Sequence, residues 1–149
     1  MNLNKPVSTT QIGWGLAHRF HNDDAAIPFY INDATITEWN GKHIPVMVDA
    51  TANHTVTTAV DGAAIVGYLV MAEDRKIEGI KIGTVQMHGA TNLPIKDADA
   101  LAPGDLVVGG GEGTIRKALE ADGVAGVGRI CTAVYTAEDG KTYADVVFS

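Results

Sequence analysis

Cysteine is nearly absent: Cys131 stands alone among 149 residues. That excludes an intrachain disulfide and suits a reducing compartment. Serine is almost as scarce. Ser8 and Ser149 lie near the two termini, and neither sits in the G-x-S-x-G turn that presents a catalytic nucleophile. No stretch approaches the ~20 apolar residues of a membrane span. Met1 to Thr10 lacks the apolar run of a secretory signal, so the chain is expected to be made in the cytoplasm. Basic residues are few, with 11 Lys and Arg against 18 Asp and Glu for a net charge of −7. Only Arg75–Lys76 and Arg116–Lys117 stand side by side. Phosphate backbones and anionic bilayers recruit clustered positive charge. Neither nucleic acid nor membrane is therefore expected as a partner.

What the chain does have is glycine and apolar residues. Seventeen glycines are scattered among apolar residues that make up 46% of the sequence, the balance of a globular domain with many turns. The first 40 residues differ from the rest. Trp14, Phe20, Phe29, Tyr30 and Trp39 fall there, five of the nine aromatics, in a segment of weak periodicity. Residues 1–30 are read as an irregular N-terminal arm and residues 31–149 as one β-rich domain. Asn40-Gly41 between Thr35–Trp39 and Lys42–Val48 is the pattern of a two-residue hairpin. Strand-like runs follow at His54–Val60, Ala64–Met71, Ile77–Met87, Leu106–Val108, Thr114–Ala118, Val124–Val134 and Tyr143–Phe148. Turn chemistry separates them: Asp61-Gly62, Pro103-Gly104-Asp105, Gly109–Gly113, Asp122-Gly123 and Asp139-Gly140. The expected class is all-β, a small barrel- or sandwich-like domain with little helix. One ambiguity is Thr114–Ala121, where Ile115, Ala118 and Leu119 also fit a helical face.

There is an internal echo. Asp61–Leu69 and Asp122–Ile130 share the pattern D-G-x-A-x-V-G-x-[LI], 61 residues apart. Each copy is a turn leading into a strand with a glycine inside, often the mark of a bulge or a close backbone approach. The echo fits a duplicated half-barrel or convergence on one turn–strand solution, and convergence is slightly preferred.

Residues for chemistry are thin. Gly109–Gly113 lacks the G-K-[ST] ending of a phosphate loop and the G-x-G-x-x-G spacing, so it reads as a hairpin loop. His18 and His21 with Asp23 and Asp24 suit a solvated arm better than a metal site. Cys131 lies in an apolar run and reads as a small core residue. Asp97 and Asp99 lack the ligand pattern of a calcium loop. No catalytic, cofactor or metal residue is assigned, and the chain is not expected to be an enzyme.

Three stretches carry a resemblance. They are Asp61-Gly62 running into Ile65–Leu69, then Gly104–Val108 with a glycine-rich turn and Gly113–Ala118, and last Val127–Ile130 with Asp139-Gly140 and Val146–Phe148. From Lys42 to Phe148 the chain resembles the capsid decoration, or cement, proteins of tailed bacteriophages. The resemblance implies a small β-fold on the capsid exterior of a virion. It would bind the major capsid protein, bridge capsomers and associate as a homotrimer, without cofactor. The arm before Asn40 has no counterpart in it. Aromatics concentrate binding energy at interfaces, so Trp14, Phe20, Phe29, Tyr30 and Trp39 are the expected capsid or subunit contacts. The alternatives are a small β-rich enzyme, such as a trimeric nucleotide hydrolase, and a ligand-binding barrel. A lipoyl or biotinyl carrier is disfavoured because Lys42 and Lys141 lack the hydrophobic neighbours of a modified lysine.

Overall fold

The computed structural model describes residues 26–97 and 99–149. These residues form an all-β structure of ten strands with one short 3-10 turn, Glu120–Asp122, and no α-helix among them. The strands are β1 Ala26–Ile31, β2 Ile44–Val48, β3 Thr55–Thr58, β4 Gly67–Arg75 and β5 Ile80–Gln86. They continue as β6 Gly89–Pro94, β7 Val107–Gly111, β8 Thr114–Lys117, β9 Arg129–Thr136 and β10 Thr142–Phe148.

The first five strands close a barrel in the order β1-β3-β2-β4-β5. β1 runs parallel to β3, and every other pairing is antiparallel. Its interior is filled by Ile31, Ile36, Val46, Val56, Leu69 and Val85. The last five strands form a three-stranded sheet, β6-β10-β9, and a hairpin, β7-β8. Two single bridges join these pieces: Ile95 with Ile115, parallel, and Leu106 with Ile130, antiparallel. They place β8 beside β6 and β7 beside β9, so the strands follow one another round a second, looser ring, β6-β8-β7-β9-β10.

That order is the first ring repeated strand for strand, with the parallel contact in the same place. The match reaches single bonds. Asn32 N–H donates to the Val56 carbonyl at 2.9 Å, and Lys96 N–H donates to that of Ile115 at 2.8 Å. Ala59 N–H bonds the Pro45 carbonyl at 3.0 Å, and Ala118 N–H bonds that of Leu106 at 2.8 Å. Gly79 and Gly140, again 61 residues apart, turn β4 into β5 and β9 into β10 with φ near +80° (73° and 81°). Both hairpins carry a bulge, between Leu69 and Met71 in one and opposite Asp145/Val146 in the other. The buried Ile95, Leu101, Val107, Ile115 and Val146 of the second core stand where Ile31, Ile36, Val46, Val56 and Val85 stand in the first. The echo therefore marks a duplication of a whole five-stranded barrel, larger than the half-barrel and beyond local convergence.

Other expectations need correcting. Residues 26–30, assigned to the arm, form β1 and pair with both β3 and β5. Thr35–Trp39 is not a strand, and Asn40-Gly41 turns no hairpin. Short side-chain bonds capture that segment instead: Asp33 accepts from the Thr35 N–H at 2.9 Å, and Asn40 accepts from the Lys42 N–H at 2.9 Å. Such Asx bonds compete with ladder pairing, and burial of Ile36 and Trp39 against the first core completes the loop. Ile77 lies in the β4–β5 turn and is fully exposed. Val124–Gly128 is a run of turns ahead of β9. β6 lies in a stretch assigned to no strand.

Candidate functional site: the groove between the barrels

The two barrels meet along the β3–β4 connection, residues 59–66. Gly62 N–H donates to the Gly109 carbonyl, and Gly109 N–H donates to that of Ala63, both at 2.9 Å. A Cβ on Gly109 would lie 2.5 Å from the Val60 carbonyl oxygen, closer than any side chain tolerates. Glycine is what lets β7 reach the first barrel. Arg129 fastens the same seam. Its guanidinium donates to the Ile65 and Val66 carbonyls at 2.9 and 3.1 Å and lies 4.9 Å over the Phe148 ring. Burial pulls the Arg129 pKa down, and the two carbonyls and the ring face meet its charge. Tyr68 packs edge-on against Phe148 and stacks on His43.

Beside the seam opens a groove of about 1350 Å³. One wall is the β1–β2 loop with Asp33, Trp39 and His43. The other is the β7–β8 tip and the Tyr135–Tyr143 pair, stacked with ring centres 6.1 Å apart. Its polar groups are committed to one another. Burial raises the Asp33 carboxyl, but bonds from Thr35 and Thr58 outweigh it and hold the group below its ordinary value. Asp61 bonds Lys96 and Arg116, each at 2.9 Å. Arg116 also grips Asp122 with both terminal nitrogens, at 2.8 and 3.1 Å. The Lys96 and Arg116 bonds hold Asp61 low, the Arg116 bond holds Asp122 low, and both carboxylates raise Arg116. Asn92 donates to the Tyr135 hydroxyl at 3.0 Å, and the Tyr143 hydroxyl donates to Asp139 at 2.9 Å. Burial lowers the His43 pKa, so the ring is neutral near pH 7, 2.5 Å from the Thr91 hydroxyl.

The expected contact residues are divided. Trp14 and Phe20, like His18, His21, Asp23 and Asp24, lie outside the described residues. Phe29 and Trp39 are half-buried against the first core, while Tyr30 points outward from β1, 51% exposed. Trp39 also borders the groove; Phe29 and Tyr30 do not. Cys131 is fully buried in the second core, where burial raises its thiol pKa. Among the described residues no three His, Cys, Asp or Glu side chains gather as a metal site. The groove itself was invisible in sequence, since its walls come from loops some 80 to 100 residues apart. Comparison with known proteins finds no matching family model, no matching curated protein and no matching solved structure.

Proposed function

We propose that this chain is a structural virion protein that binds the outside of a phage capsid, bridges capsomers and associates with its own copies, as a homotrimer in the form the resemblance implies. One observation carries the reading. The stretches behind the resemblance, Asp61–Leu69, Gly104–Ala118 and Val127–Ile130, supply the seam and its counterpart in the second barrel. They contribute Gly109 and Arg129, the residues that lock two barrels into one block. A stiff block whose charged groups pair internally suits a protein that carries load between neighbours. Trp14, Phe20 and Tyr30 remain proposed contacts to capsid or to a neighbouring copy. The test is to mix the purified chain with undecorated heads and determine a density map. Ordered density over capsomer junctions is expected; heads that stay bare at saturating protein overturn the proposal.

A second reading, binding of a small ligand, has one observation in its favour, the groove. The first barrel's interior offers no room, because Val46, Val56, Leu69 and Val85 fill it at 0% exposure. A ligand would sit between the barrels, and native mass spectrometry of freshly purified protein would reveal it.

A further inference from the structure

The duplication lets one half of the molecule be read against the other. In the first barrel the connection between third and fourth strands is covered by a second barrel of the same fold. Residues 61–66 all face it: Asp61 meets Lys96 and Arg116, Gly62 and Ala63 pair with Gly109, and the Ile65 and Val66 carbonyls take Arg129. The Ile65 side chain enters the second core.

The corresponding connection of the second barrel, residues 118–128, is covered by nothing in the chain. Val124 and Val127, the counterparts of Ala63 and Val66, are 81% and 64% exposed. Leu119, Leu106 and Ile130 are exposed beside them. The five form one surface. Leu106 bridges Ile130, Ala118 N–H bonds the Leu106 carbonyl, and Gly126 packs between Ala118 and Leu106. Lys117, paired with Asp105 at 3.3 Å, and Glu120 edge the apolar centre with charge, the layout of an interface core and rim. Contiguous apolar surface of this kind on a soluble domain marks a contact. The internal seam obeys no two-fold rule: if it did, residues 123 and 124 would be covered as Gly62 and Ala63 are.

We infer that this face docks on a second copy of the chain. The argument is that the only element seen to cover such a connection is another barrel of this fold, and a second copy supplies one. The contact does not repeat the seam atom for atom. Gly109 has Val48 as its counterpart, whose side chain bars the same backbone approach, so the apolar side chains make the contact. The inference gives a location to the self-association proposed above but rests on the repeat, and its test needs no capsid.

The experiment is sedimentation equilibrium of the full chain over a concentration series, beside Val124→Asp and Val127→Asp. Both positions are exposed in the single chain, so a charge there leaves each fold intact, checked by circular dichroism. Ile77→Asp, in the exposed β4–β5 turn, is the control. Wild type and control should form the same oligomer, and each face variant should weaken its association at least tenfold. A wild-type chain that stays monomeric overturns the inference. So does an unaltered oligomer in both face variants, including the case where they no longer decorate heads, which would assign the face to capsid.

Discussion

Arg116 concentrates the residue-scale electrostatics. It ties Asp61 of the β3–β4 connection and Asp122 of the β8–β9 connection to one strand. Both carboxyls sit below their ordinary value of 3.8. Groups lowered by folding stabilise the native state fully above the ordinary value, and that contribution fades as pH falls through the folded one. Urea denaturation should therefore show stability falling below about pH 4, as expected from that linkage. Arg116→Met should lower stability at pH 7 and flatten the acid dependence. An unchanged acid slope in the variant would show that the two carboxylates owe their shifts to other groups. Cys131 makes the opposite case. Its thiol fills the second core, so Cys131→Ser should cost about 1–3 kcal/mol for a buried hydroxyl and leave assembly on heads unaltered. Loss of binding by a folded variant would give the thiol a role beyond packing.

At the scale of elements, the seam depends on a residue being absent above the α-carbon. Gly109→Val should wedge the barrels apart, costing about 1–3 kcal/mol by overpacking, and thermal unfolding would record it as a lowered Tm. A neutral result would mean the seam yields. Much of the element pattern was legible. Turn residues at Asp61-Gly62, Asp122-Gly123 and Asp139-Gly140 announced where strands end, and β-branched runs announced most strands between them. The failures have specific physics. Asn40-Gly41 has hairpin chemistry, yet Asp33 and Asn40 side chains bind the nearby backbone first and Ile36 and Trp39 find burial in the loop. β1 hid because its second neighbour, β5, lies more than 50 residues away. The nine-residue echo was visible, but barrel duplication needed the strand order, because the core pairs Ile36/Leu101 and Val56/Ile115 share hydrophobicity without identity. The exposed Val124 and Val127 were legible as apolar and were read as strand, since exposure has no sequence signature.

Across the whole molecule the two cores are not equals. The first is built from residues of its own half, Ile31 through Val85, with Met87 the last residue packed against it. The second borrows Ala59, Ile65 and Tyr68 from the first half. A chain emerging from the ribosome can thus complete one barrel before the other has been made, and the finished barrel then serves as a template on which the second condenses. Folding would be vectorial, with the order written into the ownership of the core. Fragments test it. Residues 26–88 should show cooperative unfolding on their own, whereas residues 89–149 should stay unfolded until the first fragment is added in trans. A second half that folds alone as firmly as the first would show that the borrowed side chains are dispensable. The same asymmetry makes damage directional: a core-truncating change such as Leu69→Ala, typically worth about 2–5 kcal/mol, should bring down both barrels. Its second-barrel counterpart, Ile115→Ala, should leave the first standing as a folded intermediate.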